Sequence, residues 1–587
     1  MIMKKLFSLI LLALLPVVAS AFDAYVNGIF YNLSEDEASV TYERYDEYSL
    51  GYVSHYTGDI VLPATITYNG KTYSVTKIGN YAFADCKDLK SVTIPESVTS
   101  IGEGAFEECS GLNSVTIPGS VKSIGDIAFL GCSGLKTVTL GDGVTSIRYR
   151  AFGECSSLTS VNLPNSLISM GTDAFSGCKS LNEVTIPGSL TSISNGAFKG
   201  CSSLTSLTID EGVKSIGGAA FYGCSSLTSI VIPNSVSSID AGSFSDCIRL
   251  ASITLPENVT SVGSNAFSST PWFESLSDGL VYIGKVAYKY KGEMPEGTQI
   301  AIKGGTAQIS GEAFNKCNGL TSIFIPESVT SIGNFAFQYC KNLTLISIPD
   351  GVTKVEDYTF RGCSGLTSVT FGNNLKSIGE YAFDNCSGLT SINIPESVTS
   401  IGKDAFTGCR GLTSITIPNS VTSISGWAFC NCTGLTSVTI PSSLKSFGPS
   451  AFYGCSGLTS ISIPESVTSI DMNVFAECIG LTDVFCLAEN VPETANNAFK
   501  NSPISLATLH VPEGAVEKYR KSSPWSRFGS IVAIGNDDVI GHDGTGIDSP
   551  AGETEDGAIY DLQGRKMVNG KLPRGIYIES GKKKVKK

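Results

Sequence analysis

The fold is decided by one stretch of sequence, Cys86-Lys-Asp-Leu89-Lys-Ser-Val92-Thr-Ile94-Pro95-Glu-Ser-Val98-Thr-Ser-Ile101-Gly102-Glu-Gly-Ala105-Phe106. The same frame returns every 23 residues, and its most regular marker is a phenylalanine. These phenylalanines form two runs: Phe83, Phe106, Phe129, Phe152, Phe175, Phe198, Phe221, Phe244 and Phe267, then Phe314, Phe337, Phe360, Phe383, Phe406, Phe429, Phe452 and Phe475. A unit this short buries its apolar residues only against its neighbours. The sequence therefore predicts a solenoid, which supplies a surface rather than a reaction.

Each unit is predicted to contain two short strands joined by tight turns. Leu89, Val92 and Ile94 form a segment whose alternating end reads as a strand, and Pro95 stops it because proline cannot extend a ladder. Apolar residues point inward again after this turn. A unit of this length leaves no room for a full helix, so we predict a second short strand and a 3-10 turn on the returning side. The coil should be mostly β, with little helix.

The repeated frame, Cys-x-x-Leu-x-x-Val-x-Ile-Pro-x-Ser-Val-x-x-Ile-Gly-x-x-Ala-Phe, resembles that of the leucine-rich repeat class typified by the BspA-like surface proteins. It recurs in register across about seventeen units and covers nearly the whole mature chain. The resemblance implies a leucine-rich repeat solenoid with β caps at its ends. It also implies a secreted or surface-displayed protein of a bacterium that lives on an animal host, and several such proteins are similar to adhesins.

The rhythm and its interruptions divide the chain into eight predicted segments. Positively charged Lys4 and Lys5, an apolar run and the triplet Ala19-Ser20-Ala21 indicate a secretory signal with cleavage before Phe22. The segments are a signal peptide (1–21), an N-terminal β cap (22–77), leucine-rich repeats (78–270), an irregular double-length coil (271–308), further repeats (309–482), a C-terminal cap (483–534), a linker (535–556) and a tail (557–587). In the C-terminal cap, Ala515 to Lys521 is the one plausible short helix, and Trp525 with Phe528 is expected to cover the last apolar layer.

The charge is unevenly distributed and argues against nucleic acid as a partner. The chain carries a net charge of −13, and the leader's two lysines and the tail's nine basic against two acidic residues leave −22 for residues 22–556. An acidic body repels phosphate polymers and anionic lipid surfaces. No apolar segment after the leader is long enough to cross a membrane. We therefore expect neither nucleic acid nor a bilayer as the partner of the repeats, and the oligomeric state is left open.

Sixteen of the 18 cysteines follow a repeat phenylalanine by three residues and should stack in a column, from Cys86 to Cys247 and from Cys317 to Cys478. Stacked strands lie about 4.8 Å apart, a spacing that permits disulfides in an oxidising compartment. We favour buried free thiols, because side chains in such a column point in parallel and cysteine packs well as a small hydrophobe. Cys430 and Cys486 lie outside the column, and Cys430, adjacent to Phe429, is a candidate for exposure.

The exposed face of the longer strand is the main candidate binding surface. Each strand sets one outward residue between inward apolar ones, which gives a long, polar, nearly uncharged array able to engage extended protein or glycan. Val231 and Phe324 are apolar exceptions suited to act as anchors. β propensity alone would also select this threonine column. The candidate ligand-binding residues on this face are Thr93, Thr116, Thr139, Thr185, Thr208, Val231, Thr254, Phe324, Asn393 and Thr416.

The irregular coil is a second candidate surface. Tyr282, Tyr288 and Tyr290 alternate with lysines there, which would suit an acidic partner, and Tyr282 and Tyr288 are its candidate contact residues. The alternative, which we favour, is a degenerate coil that inserts one hairpin. The tyrosine-rich N-terminal cap likewise fits either half-buried strands or a sugar-stacking site.

The tail resembles the C-terminal sorting modules of the type IX secretion route of the Bacteroidetes. The resemblance is carried by Ile559-Tyr560-Asp561-Leu562-Gln563-Gly564-Arg565 and Gly575-Ile576-Tyr577-Ile578, and it implies export across the outer membrane of a Gram-negative bacterium. The alternative is a polybasic tail that holds anionic surfaces by charge alone.

No motif for catalysis, a cofactor or a metal is recognisable. The three histidines, His55, His510 and His542, lie in the two caps and the linker, with no nucleophile motif nearby. We therefore expect no enzyme and no cofactor. The sequence favours a secreted or cell-surface leucine-rich repeat protein that mediates protein–protein interaction, as an adhesin for host or microbial surface proteins. The alternative is a glycan-binding accessory protein without catalysis.

Overall fold

The computed structural model describes residues 22–46, 51–534, 559–560, 575–579 and 582–586, and for residues 44–46, 51–53, 559–560, 575–579 and 582–586 it describes the backbone alone. The chain divides into two compact units, Met1–Ala533 and Ile534–Lys587. The predicted signal peptide and linker lie outside the described residues. Every described repeat belongs to the first unit.

The first unit opens with a β cap. Its strands are β1 (Ala24–Val26), β2 (Ile29–Ser34), β3 (Glu37–Val40), β4 (Arg44–Asp46), β5 (Gly51–Val53), β6 (Gly58–Val61), β7 (Thr65–Tyr68) and β8 (Lys71–Ile78). Strands β1, β2 and β3 pair antiparallel, and β3 then pairs parallel with β8. Tyr56 is buried and its ring lies 4.6 Å from that of Phe83, so the cap covers the first repeat phenylalanine.

The first stack of coils alternates a longer and a two-residue strand. Its strands are β9 (Leu89–Thr93), β10 (Ser100–Ile101), β11 (Ser114–Ile117), β12 (Ser123–Ile124), β13 (Thr137–Leu140), β14 (Ser146–Ile147), β15 (Ser160–Val161), β16 (Ser169–Met170), β17 (Glu183–Ile186), β18 (Ser192–Ile193), β19 (Ser206–Ile209), β20 (Ser215–Ile216), β21 (Ser229–Val231), β22 (Ser238–Ile239), β23 (Ser252–Thr254) and β24 (Ser261–Val262). Each pairs in parallel with at least one equivalent strand 23 residues away, as in Thr93↔Thr116↔Thr139, and the ladders are interrupted between β16 and β18 and between β19 and β21. The predicted solenoid of 23-residue coils is confirmed.

The predicted irregular coil contains a short helix and a hairpin. Its elements are helix α1 (Pro271–Glu274) and strands β25 (Gly279–Ile283), β26 (Val286–Lys291), β27 (Thr298–Ala301) and β28 (Gln308–Ile309). Strands β25 and β26 pair antiparallel, and β26 then pairs parallel with β28, so the short-strand column continues beyond the hairpin. The hairpin interpretation of this segment is confirmed.

The second stack repeats the architecture of the first. Its strands are β29 (Leu320–Phe324), β30 (Ser331–Ile332), β31 (Leu345–Ser347), β32 (Lys354–Val355), β33 (Ser368–Thr370), β34 (Ser377–Ile378), β35 (Ser400–Ile401), β36 (Ser414–Thr416), β37 (Ser423–Ile424), β38 (Ser437–Thr439), β39 (Ser446–Phe447), β40 (Ser460–Ile463) and β41 (Ser469–Ile470).

The first unit ends in a cap that holds most of the helix in the described chain. Its elements are β42 (Asp483–Cys486), β43 (Glu493–Thr494), β44 (Thr508–Val511), a 3-10 helix (Glu513–Ala515), α2 (Val516–Arg520), a 3-10 helix (Trp525–Arg527) and β45 (Ser530–Ala533). The predicted helix is confirmed. Trp525 is fully buried, and Phe528 and Trp525 both pack edge-on against Phe499, which confirms how the last apolar layer is covered. The second unit contains the antiparallel strands β46 (Ile559–Tyr560), β47 (Gly575–Glu579) and β48 (Lys582–Lys586).

The turns between coils have 3-10-type hydrogen bonds but do not extend into 3-10 helices. Around Phe83, the N–H of Ala84 donates to Tyr81 and that of Cys86 donates to Phe83, at 3.1 and 3.2 Å. Tyr81 and Asp85 have φ of 56° and 60°, and such left-handed residues interrupt the helical geometry. The predicted 3-10 turn is therefore present as single bonded turns.

The core consists of stacked phenylalanine rings. Neighbouring rings lie nearly parallel with centroids 4.8 to 5.8 Å apart, for example Phe106 and Phe129 at 4.8 Å or Phe452 and Phe475 at 5.8 Å. The amide N–H of Phe106 donates to the carbonyl of Ala128 in the next coil at 2.7 Å, so hydrogen bonds and ring contacts link the same two coils. The hairpin divides the apolar core into two clusters, one ending at Tyr288 and the other beginning at Ala287.

The cysteine column forms, and all 18 cysteines of the chain are free thiols. Each column thiol after the first of its run donates to the carbonyl of the phenylalanine 26 residues earlier, as Cys109 does to Phe83 at 2.9 Å. The thiols thus point at backbone rather than at one another. Cys430 is only 2% exposed, so the expectation of its exposure was wrong. Asp384 at the equivalent position two coils earlier is also buried, because adjacent coils cover this position.

Removal of one ring from the stack should destabilise the solenoid. Phe198 is fully buried between Phe175 and Phe221, with centroids 5.4 and 5.6 Å away. We expect Phe198→Ala to lower the free energy of unfolding by about 3–5 kcal/mol, measured by urea denaturation. The exposed-face control Thr185→Ala should change it by less than about 0.5 kcal/mol. Equal effects of the two variants would contradict the stacked-ring core.

The buried thiols predict alkaline instability. Burial raises the pKa of Cys247 and of Cys363 to about 12, from an ordinary value of 9.0. Below about pH 9 the thiols are protonated in both states; above it they ionise only in the unfolded chain, which lowers the free energy of unfolding by up to about 1.4 kcal/mol per pH unit and thiol. The urea concentration at the midpoint of unfolding should therefore be independent of pH below this value and should fall with rising pH above it. Cys363→Ala should make that fall less steep. A midpoint independent of pH up to about 11 would contradict this account.

Candidate functional site

The outward residues of the longer strands form a continuous exposed surface, called here the strand face. Thr93, Thr116 and Thr139 lie side by side on β9, β11 and β13, and all three are exposed. Their inward neighbours, such as Val115, are buried. Strand alternation therefore places the predicted residues on the surface, as the pattern indicated.

The predicted strand-face residues form a row rather than a cluster. Three register pairs hold Thr185 beside Thr208, Val231 beside Thr254, and Thr416 beside Thr439. Phe324 is 65% exposed and lies on the second stack beside Ala301. Asn393 is exposed in a segment that is not assigned as a strand. A ligand contacting all ten residues would have to follow most of the solenoid.

Three of these residues meet in a groove of about 690 Å³ on the strand face. Thr208, Val231 and Thr254 line it, together with parts of β19, β21 and β23 and the three turns that follow these strands. Val231 is 66% exposed within a surface of hydroxyl groups. A volume of this size is typical of ligand sites.

The groove lies where the strand ladder opens. Strand β19 is the last of a seven-stranded sheet, and β21 begins a separate two-stranded sheet with β23. The N–H of Ile232 donates to Thr254 at 2.9 Å, so alternation directs the amide and carbonyl of Val231 toward β19. In this part of the described chain no backbone hydrogen bond joins β19 to β21. The open seam therefore leaves strand donors and acceptors available in the groove.

An acidic corner closes one end of the groove. Glu211 accepts hydrogen bonds from the N–H groups of Asn234 and Ser235, both at 3.0 Å, and so holds the next turn in place. Asp210 is half-buried beside it and lines the groove. The repeat pattern did not single out Asp210 as a site residue, although a signal existed. Asp210 occupies the position at which most units carry the proline that ends the strand, as Pro233 does in the next coil.

The irregular coil does not present the predicted aromatic patch. Tyr288 is 2% exposed, and its hydroxyl accepts a hydrogen bond from the N–H of Phe267 at 3.1 Å. Its ring packs edge-on against Phe267 and takes the core position of a repeat phenylalanine. The assignment of Tyr288 to a binding surface was therefore wrong, because the hairpin needs an aromatic side chain to continue the core.

Tyr282 remains partly accessible but is engaged by its own chain. The ammonium nitrogen of Lys303 lies 4.2 Å from the centre of its ring, and the N–H of Lys303 donates to its hydroxyl at 3.1 Å. Lys291 donates to the carbonyl of Glu274 at 2.6 Å, and Lys289 to Asn265 at 3.0 Å. These lysines serve the hairpin, which leaves the strand face as the leading candidate surface.

Two further kinds of feature are absent from the described residues. No group of three or more His, Cys, Asp or Glu side chains among them is arranged to hold a metal ion. Within the same residues, no helix has the length and apolarity needed to span a membrane.

The sequence is similar to those of known leucine-rich repeat proteins. A family described as "BspA type Leucine rich repeat region (6 copies)" matches residues 65–182, 169–294, 281–413 and 399–522. A leucine-rich repeat protein from Bacteroides ovatus is 27% identical, with 76% of this chain and 95% of that chain covered and a TM-score of 0.37. A leucine-rich cell surface protein from Faecalibacterium prausnitzii is 31% identical, with 72% and 95% covered and a TM-score of 0.33. No curated protein sequence matches the chain.

The structural role of Tyr288 is testable by removing one oxygen. Tyr288→Phe deprives the buried N–H of Phe267 of its acceptor, so we expect a loss of about 1–3 kcal/mol in the free energy of unfolding, measured by urea denaturation. Tyr282→Phe is the matched control, because Tyr282 is only partly buried, and it should change the stability less. A Tyr288→Phe protein of unchanged stability would contradict the structural role assigned to this hydroxyl.

Proposed function

The chain belongs to the BspA-type leucine-rich repeat family, and from that membership we propose that it is a secreted cell-surface adhesin whose strand face binds an extended segment of a host or microbial surface protein. Proteins of this family are surface-type interaction scaffolds, and the comparisons indicate no enzyme family. The leader at 1–21 and the tail at 557–587 support export in a Gram-negative bacterium.

The observation that carries the proposal is the groove at the open seam between β19 and β21. An extended peptide offers alternating backbone donors and acceptors, and the strand groups left free at the seam are their complement. Val231 gives an apolar contact between Thr208 and Thr254, which suits one buried side chain of the peptide. The groove thus combines backbone recognition with a single anchor.

Charge adds a preference for basic segments. Asp210 and Glu211 both line the groove, in a chain of net charge −13. Complementary charge steers association and discriminates against wrong partners. We therefore expect the preferred peptide to carry lysine or arginine beside an apolar residue.

The proposal is tested by binding of the full chain to an array of short peptides tiled across host extracellular matrix proteins. Val231→Asp places a charge in the groove and should weaken binding at least about tenfold, because an apolar contact is replaced by an unpaired carboxylate. Thr139→Asp is the matched control, since it puts the same charge on the uninterrupted part of the same face.

Three outcomes are decisive for the groove. Loss of binding in Val231→Asp alone supports it, whereas equal losses in both variants mean that charge on the strand face, not the groove, controls binding. Absence of any peptide binding by the unmodified chain would overturn the adhesin proposal. A Phe324→Ala variant tests whether the second stack provides another anchor.

A further inference from the structure

A second surface feature lies on the turns, at the position two residues before each repeat phenylalanine. This position has a left-handed backbone in nearly every coil, and glycine occupies it at Gly104, Gly196 and Gly242. In the second stack it carries aromatic residues in three consecutive coils, Phe335, Tyr358 and Tyr381, with φ of 59°, 59° and 53°. We call the positions Phe335, Tyr358, Tyr381, Asp404 and Trp427, each 23 residues from the next, the turn column.

Aromatic residues rarely adopt a left-handed backbone, so their presence in three consecutive coils needs a reason. Part of it is stacking: the centroid of Tyr358 lies 4.8 Å from that of Phe335 and 4.8 Å from that of Tyr381, with interplanar angles of 13° and 8°. The rings therefore cover one another's faces and turn their edges outward. Stacking alone explains the faces between neighbouring rings. It does not cover the face of Tyr381, the last ring, that is directed toward the coil of Asp404.

The turn column has a gap of one coil at Asp404. No ring in the described chain stacks on the Asp404 side of Tyr381, and the next aromatic position is Trp427, two coils on. Two coil spacings correspond to about 10 Å between these backbone positions. That interval accommodates one flat ring between two others. Trp427 is 39% exposed and also has a left-handed backbone, with φ of 61°.

The base of the gap is a carboxylate with spare capacity to accept hydrogen bonds. Asp404 is 8% exposed, and one of its oxygens accepts from the hydroxyl of Thr407 at 3.0 Å. The Asp404 carboxylate interacts with the hydroxyl of Tyr381 and raises the pKa of Tyr381 to about 12. A carboxylate offers about four acceptor positions, so these interactions leave room for further hydroxyl groups.

The arginine beside the aromatic stack is already paired with a carboxylate. The guanidinium of Arg361 lies 5.6 Å from the centre of the Tyr358 ring and 6.0 Å from that of Tyr381. Its Nε donates to Asp384 at 2.9 Å, and Asp384 accepts a further hydrogen bond from Asn385 at 2.7 Å. Arg361 therefore braces the stack. The gap itself presents an aromatic face and a carboxylate, and the guanidinium of Arg361 is engaged by Asp384 rather than free for an anionic ligand.

We propose that the gap at Asp404 binds one ring of a neutral glycan. A pyranose ring has an apolar face of C–H groups, which stacks on Tyr381, and equatorial hydroxyls, which donate to Asp404, while Trp427 contacts the opposite side. An acidic glycan would meet the carboxylate and the net negative charge of the chain, so the chemistry selects neutral sugars. This surface is separate from the strand face and does not depend on the peptide-binding proposal.

The test is a titration of the full chain with cellohexaose, xylohexaose, mannohexaose and maltohexaose. Binding is measured by calorimetry and by tryptophan fluorescence. A hyaluronan oligosaccharide serves as the acidic comparison. Trp427 is exposed whereas Trp525 is fully buried, so a ring entering the gap should change the emission of Trp427, and Trp427→Phe should abolish that change. We expect at least one neutral hexaose to bind and the acidic one not to bind.

Two variants locate the site. Tyr381→Ala removes the stacking face and should weaken binding at least about tenfold. Asp404→Tyr fills the gap with a fourth ring, which the left-handed backbone accepts at Tyr358 and Tyr381, and it should abolish binding while the protein remains folded by thermal melting. Phe335→Ala is the matched control, because it shortens the same stack at its other end and should leave binding unchanged.

The possible results distinguish binding at the gap from binding elsewhere on the protein. Binding that survives in Asp404→Tyr, binding of the acidic oligosaccharide alone, or no response to any neutral hexaose would each overturn the proposal. Val231→Asp should leave glycan binding intact, which keeps this result distinct from the outcome at the strand face. Loss of binding in Phe335→Ala equal to that in Tyr381→Ala would show that the stack as a whole, and not the gap, is recognised.

Discussion

Contact between successive coils is the constraint on which the rest of the structure depends. A coil of 23 residues has no interior of its own, so its apolar side chains are buried only when the next coil is in place. The phenylalanine stack, the amide-to-carbonyl bonds between coils and the thiol-to-carbonyl bonds of the cysteine column all act across the same interface. Each residue in the frame is therefore selected for what it meets one coil away. This is why the inward positions of the frame vary little from coil to coil, whereas its outward positions vary much.

The regular part of this fold was predictable because periodicity reports directly on packing. Pro95 correctly marked the end of a strand, and the doubled spacing after Phe267 correctly indicated a hairpin. Tyr288 was misplaced because its spacing departs from the frame, so nothing in the pattern showed that it replaces a core ring. Cys430 was misplaced because burial at that position depends on the side chains of adjacent coils rather than on its own unit.

The candidate sites were harder to predict for a related reason. The strand-face residues follow from alternation alone. The groove depends on where the strand ladder opens between β19 and β21, and the repeat pattern of the sequence does not show where such hydrogen bonds are missing. The turn column was visible as a run of aromatic residues at one register position, yet its meaning required the left-handed backbone that only the structure shows. In a repeat protein the function-bearing residues are departures from the consensus, and a departure is interpretable only when its neighbours are known.

The hairpin that divides the apolar core has a mechanical consequence. Because cooperativity in a solenoid passes from coil to coil, a coil that interrupts the ring stack also interrupts its transmission. Phe267 packs edge-on against Tyr288, and the parallel stack resumes only at Phe314. We therefore expect the repeats to unfold as two cooperative blocks in series. Under tension between the ends of the solenoid, such blocks would extend in two steps, so that one absorbs the load while the other keeps its surface intact.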